Sequence, residues 1–356
     1  MAHAFSLAGK NLKLNTAEDI APYLEDLRKV EPLHEISLGG NTLGVGACFA
    51  LAEVLREKRS LRIADFADIF TGRLITEIPD ALRALCDSLV DHPELEEINL
   101  SDNAFGGRSA EPMVNLLSNN HNIQVLKLSN NGLGVSGGVI VANALKDAAD
   151  KLNGRDSRLR KVICGRNRLE NGSSQAWADA FAAHGSLREV RLYQNGIRME
   201  GIAAICQGLS KCPDLEVLDL QDNTATLRGS RAVASALPCW PNLRVLNLSD
   251  TLLKPKGGAH VINTIAKGHT KKLQALHLQY CDLNRVALHA LAGAINEHLC
   301  ELTTLEINGN WASEDDESIE RICKALEKWG NSDALDELDE MCVMAYQGPR
   351  GRRRRR

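Results

Sequence analysis

The chain has 356 residues, a hydrophobic share of 44% and a formal net charge of −4, figures of a globular protein with enough chain for a large core. Aromatics make up 4% of residues and no apolar run approaches the roughly 20 residues of a membrane span, which argues against a stacking platform for single-stranded nucleic acid and against a membrane protein. Six arginines crowd positions 350–356; without them the charge is −10, so the body is acidic and suits a basic protein partner better than nucleic acid. The first ten residues carry no charged stretch followed by a long apolar one, so no signal peptide is expected. Ten cysteines without a Cys-x-x-Cys pair predict free thiols in a reducing compartment and no metal site.

One frame recurs along the chain. Phe5-x-Leu7-x-x-Lys10-x-Leu12 reads as a worn first unit that caps the array. Leu33 to Asn41, Leu95 to Asn103, Ile123 to Asn131, Leu159 to Asn167, Leu187 to Asn195, Leu215 to Asn223 and Leu302 to Asn310 then fit L-x-x-L-x-L-x-x-N. Leu61 to Ile69, Leu243 to Thr251 and Leu273 to Cys281 keep the frame with a changed last residue. The last positions are spaced by 28, 34, 28, 36, 28, 28, 28, 30 and 29 residues. A period of this kind names the long leucine-rich repeat, about eleven units in all, in which a strand and a helix alternate.

Within a unit, the two leucines flanking one residue share a strand face and point into the core. The closing Asn is expected to be buried, satisfying backbone groups of neighbouring units, a task that Thr251 and Cys281 can do only in part. Apolar spacings of three and four, as at Leu288, Leu291 and Ile295, predict a helix after each turn. Pro93, Pro213 and Pro241 each fall two residues before the next frame, where a helix should stop. The expected fold is therefore an α/β solenoid, a horseshoe with its parallel sheet on the concave face and helices on the convex face. Eleven strands give a concave arc of roughly 50 Å, able to embrace a compact domain about 30 Å across. The crescent is expected to span 1–332, and 333–356 to form an acidic, then arginine-rich, disordered tail.

The two long spacings mark insertions. The first, around Asp68 to Pro79, is apolar with one arginine, Arg73, after a glycine; the second, Lys151 to Arg158, is polar and reads as a solvated loop. Outward-facing strand and turn positions carry Asp65, Asp68, Asn99, Asp102, Lys127, Asn130, Arg166, Arg191, Gln194, Asp219, Asp222 and Asp250. Acidic groups lie on both sides of a short basic and amide-rich zone, the pattern of an electrostatic dock for a basic partner or of a solvated face. Asn130 is a second Asn that the frame does not require, since Asn131 holds the structural slot; it should project toward the sheet's edge. Arg166 and Arg168 flank the structural Asn167 and suit either surface ion pairs or anion contacts. The acidic runs 314–317 and 336–340 read as a helix start and a tail rather than as metal ligands.

Four segments resemble the Ran GTPase-activating proteins: Asp68-Ile69-Phe70-Thr71-Gly72-Arg73 with Glu77-Ile78-Pro79, Leu100 to Gly106, Asn130-Asn131-Gly132-Leu133-Gly134, and Cys164 to Gly172. The resemblance covers about residues 5 to 330. It implies a monomeric activator that binds GTP-loaded Ran, alone or with a Ran-binding protein, and supports nucleocytoplasmic transport from the cytoplasm or the nuclear envelope. It implies no cofactor of the chain's own, since GTP and magnesium would be carried by the GTPase, and no P-loop occurs. The family is thought to use an asparagine that orients the GTPase's own glutamine, in place of an arginine finger. The matching position is Asn130. Arg73 matches a family arginine near the interface and is read as a binding contact rather than a finger, and Arg166 and Arg168 match family arginines assigned to binding or local support; Asp102, Lys127, Arg191, Asp219, Asp222 and Asp250 are the further expected partner contacts. The sequence departs from the family at Ile75, where a basic residue is usual. The competing reading is a non-catalytic scaffold of the ribonuclease-inhibitor type. A self-contained hydrolase finds no support in G-x-S-x-G or H-E-x-x-H motifs.

Overall fold

A strand sends alternate side chains to opposite faces, so the frame dictates what is buried. Leu126 and Leu128 are fully buried while Lys127 between them is half-exposed on the concave surface. The same rule in every unit produces, in a computed structural model describing residues 3–341, an eleven-stranded sheet whose strands lie in chain order. It runs from β1 (Ala4–Ser6) through β2 (Glu35–Ser37), β3 (Ile63–Asp65), β4 (Glu97–Asn99), β5 (Val125–Lys127), β6 (Lys161–Ile163), β7 (Glu189–Arg191) and β8 (Val217–Asp219) to β9 (Val245–Asn247), β10 (Ala275–His277) and β11 (Thr304–Glu306). All pairings are parallel and in step, with Leu126 opposite Ile98 on one side and Val162 on the other. The solenoid expected from the spacing is the observed fold, with one continuous apolar core between sheet and helices.

The closing asparagines hold successive units in register. Asn131 donates from Nδ2 to the Leu100 and Leu128 carbonyls, both at 2.9 Å, and its Oδ1 accepts from the Asn103 amide at 2.9 Å. Its own amide donates to Asn167 Oδ1 at 3.0 Å, and the Asn167 amide to Asn195 Oδ1 at 2.9 Å. Where the Asn is replaced, only part of this survives: Thr251 Oγ1 and Cys281 Sγ each donate to the Leu248 carbonyl, at 2.5 and 3.0 Å. All nine cysteines among the described residues are free.

The second insertion lengthens the helix Gly134–Lys151 to 18 residues and ends in an exposed turn at 153–156. It lies where helices return to strands, on the edge opposite the one that carries Asn130. Near the C-terminus the stretch expected to open a tail packs onto the last units instead. Asp336 donates its amide to the Leu305 carbonyl at 3.1 Å, Asn308 Nδ2 donates to Asp339 Oδ1 at 2.8 Å, and Tyr280 bonds Glu340. Leu335, Leu338 and Met341 cover the end of the core, so these residues act as a cap. The arginine-rich stretch lies outside the described residues. Among the described residues no helix is long and apolar enough to cross a membrane.

Candidate functional site

The residue just before each closing Asn sits where the chain leaves the sheet for the helix, and its backbone is left-handed. From Asp68 to Asp250 this column has φ between 49° and 62°, and glycines fill it at Gly40 and Gly309. Asn and Asp tolerate this conformation better than other L-residues, which explains Asp68, Asp102, Asn130, Asp222 and Asp250. Arg166 and Gln194 hold it against preference. Hydrogen bonds between adjacent units keep the column in line: the Asp102 amide donates to the Ser129 carbonyl at 2.8 Å, and the Asn130 amide to the Gly165 carbonyl at 2.9 Å. These side chains therefore stand in a row on one rim, roughly 4.8 Å apart.

Asn130 is exposed on this rim, as its place in the frame leads one to expect. Its Nδ2 donates to Asp102 Oδ1 at 2.9 Å. Arg166, next along, and Arg168 beyond it are exposed, and among the described residues neither guanidinium has a hydrogen-bonding or ion-pairing partner. Asp222 and Asp250 continue the row, also exposed. Beneath Asn130 the concave floor is set by Tyr193, a residue the repeat frame alone does not single out. It crosses Gly165, where an added Cβ would come within 2.3 Å of the ring, and its hydroxyl donates to Ser129 Oγ at 3.2 Å. The signal in the sequence is the glycine at 165, which leaves room for a large neighbour, as Gly309 does for Tyr280.

The first insertion meets the same rim. Arg73 Nε donates to Thr42 Oγ1 at 2.9 Å, while Nη1 donates to Asn15 Oδ1 at 2.8 Å and Nη2 to the Thr42 carbonyl at 2.9 Å. Expected as a partner contact, Arg73 in the free chain is a staple that ties the loop to the first two units. Thr71 Oγ1 donates to Asp68 Oδ1 at 2.5 Å, and Phe70 is buried beside Phe105. So fixed, the loop presents Leu74 and Ile75, 65% and 51% exposed. Ile75 thus puts an apolar side chain in solvent.

Several expected contacts are engaged elsewhere on the concave wall. Lys127 pairs with Glu97 at 2.5 Å, and Arg191 with Glu189 at 2.5 Å and with Asp219 at 3.6 Å. Burial works against the Glu189 carboxylate, but hydrogen bonds from Arg191 and Lys161 hold its pKa below the usual range. Asp219 corrects an expectation: it is 5% exposed rather than free, because its carboxylate turns down to accept the Gln221 amide at 3.1 Å. Burial raises its pKa, an effect that this hydrogen bond and the Arg191 charge oppose. Among the described residues no group of His, Cys, Asp and Glu could hold a metal ion.

A horseshoe of strand–helix units with an ordered rim of polar side chains defines a leucine-rich-repeat binding protein. A leucine-rich-repeat family model matches residues 119–140, the unit that carries Asn130. The chain is 40% identical over 328 residues to Ran GTPase-activating protein 1 of Saccharomyces cerevisiae, covering 89% of this chain and 81% of that one. It is 41% identical over 340 residues to Ran GTPase-activating protein 1 of Xenopus laevis, covering 94% of this chain and 58% of that longer relative. Ribonuclease inhibitor of Sus scrofa is 27% identical over 305 residues, covering 84% of this chain and 62% of the inhibitor. The chain belongs to the family of Ran GTPase-activating proteins.

Proposed function

We propose that this chain activates the small GTPase Ran in its GTP-bound form, with Asn130 orienting the GTPase's own catalytic glutamine toward the attacking water. The observation that carries this reading is the exposed, oriented amide of Asn130 on a rim of fixed backbone beside an anchored loop. An amide oxygen can accept from the N–H of another amide and so hold it in one pose. Positioning of this kind lowers a barrier without covalent chemistry. Bond cleavage takes place in the partner's site, where GTP and magnesium are bound, and the activator is regenerated in each cycle.

Binding is divided among the rim groups. Asp222 and Asp250 offer negative charge to a basic partner, Arg166 and Arg168 meet an acidic or phosphate-bearing segment, and Lys127 and Arg191 lie deeper in the wall. The anchored loop with Arg73 supplies a fixed edge. We assign the protein to the cytoplasm or the perinuclear surface as a monomer, in the service of nucleocytoplasmic transport. A passive scaffold has no need of a poised amide, and the nearer likeness to the Ran activators supports the catalytic reading. Phosphate release from GTP-loaded Ran, with the chain at one-hundredth of the GTPase concentration, tests it. Multiple turnovers are expected; a rate no faster than Ran alone would overturn the proposal.

A further inference from the structure

The amide of Asn130 has two chemically different ends, and the task proposed for it requires that a defined end face the partner. Asp102, one unit earlier in the same rim row, accepts from Asn130 Nδ2 at 2.9 Å. A carboxylate at neutral pH has no proton to donate, so only the N–H end of the amide can face it. The reverse pose would bring two oxygens together. From Asp68 to Asp250 this is the one side-chain hydrogen bond between neighbouring members of the row among the described residues. Both partners have left-handed backbone, with φ of 62° and 58°, which aims the two side chains along the same rim.

We propose that Asp102 is a positioning residue for Asn130: it holds the Nδ2 end and so presents Oδ1 to the partner. The inference deepens the role proposed for Asn130 and rests on it. An oxygen facing outward accepts from the partner glutamine's N–H, which leaves that glutamine's own oxygen free to accept from the attacking water. A free amide would divide its time between two poses, one of which presents the wrong end.

The test is steady-state hydrolysis of GTP-loaded Ran by wild type, Asp102→Gly, Asp102→Asn, Asn130→Ala and the double variant Asp102→Gly/Asn130→Ala. Glycine is chosen because Gly40 and Gly309 already occupy this rim position with left-handed backbone. Loss of a hydrogen bond to a charged group predicts a fall in kcat of about tenfold for Asp102→Gly, with KM within about twofold of wild type. Asp102→Asn keeps an acceptor oxygen and should recover most of that loss. Asp102→Gly should change nothing further in the Asn130→Ala background. Normal kcat in Asp102→Gly, a change confined to KM, or an undiminished effect in the Asn130→Ala background would each overturn the positioning role. Full kcat in Asn130→Ala would overturn the reading of Asn130 itself, a different result. Should Asp102→Gly fail to fold, Asp102→Arg takes its place with the same expectation for kcat, since Arg166 already holds this left-handed backbone and a guanidinium accepts no hydrogen bond.

Discussion

At the scale of single residues, the rim row separates groups by what already holds them. Arg73 is consumed by Thr42 and Asn15, Lys127 by Glu97, and Arg191 by Glu189, whereas Arg166 and Arg168 are exposed and unpaired among the described residues. An unpaired guanidinium beside Asn130 is where an arginine finger would sit if one existed, so Arg166 decides between two mechanisms. With Asn130 as the group that orients the glutamine, Arg166 has only to bind. Arg166→Ala should then raise KM several-fold and leave kcat within about threefold, because a finger is worth roughly 10³–10⁵ in rate and a rim contact is not. A steady-state titration of GTP-loaded Ran reads both constants, and a thousandfold loss of kcat would make Arg166 the finger.

At the scale of elements, rigidity comes from the buried asparagines and from the contacts between successive helices. Asn131 makes three side-chain hydrogen bonds inside the turn that carries Asn130, so the amide on the rim stands on a fully bonded support. On the far edge, the helix Glu170–His184 ends at His184, whose ring bonds Ser157 Oγ at 2.6 Å and the Leu145 carbonyl at 2.9 Å. Burial pushes its pKa down to about 4 from 6.5, with the Leu145 carbonyl and Asp150 opposing that shift. Because the unfolded chain takes up this proton first, the contribution is full above about pH 6.5 and is lost as the pH falls toward 4. It amounts to at most about 3 kcal/mol. Thermal unfolding between pH 7 and 4 should therefore show a shallower loss in His184→Gln than in wild type. Equal slopes would mean that His184 is not neutral and buried in the folded chain.

At the scale of the whole molecule, most of the fold was legible because burial in a repeat is set by spacing alone. The leucines and the closing Asn fall every 28 or so residues, and each such Asn took its expected place in the turn. The outward positions were less legible, because the frame says which way a side chain leaves the sheet and not what it meets there. Asp219 is outward in the frame yet buried by its neighbours, and Arg73 proved to be a staple because its partners, Asn15 and Thr42, lie far away in sequence. Likewise the acidic residues 335–340 read as a tail, since nothing local shows that Leu335 and Leu338 cover the last unit. With Asp219 withdrawn, the acidic surface open to a basic partner rests on Asp222 and Asp250. Reversing both to lysine should slow association with GTP-loaded Ran several-fold at low ionic strength and little at high, where charges beyond about 3 Å are screened. Stopped-flow on-rates that ignore the reversal would show that this part of the crescent does not steer.

Everything at the larger scales serves to hold one amide at the rim, and the most direct measurement is single-turnover hydrolysis of GTP-loaded Ran at saturating activator, wild type against Asn130→Ala. The predicted result is near-normal binding with the hydrolysis step slowed by roughly 10²–10³, the effect of losing a fixed transition-state partner. Hydrolysis at the wild-type rate in that variant would contradict a catalytic role for the amide.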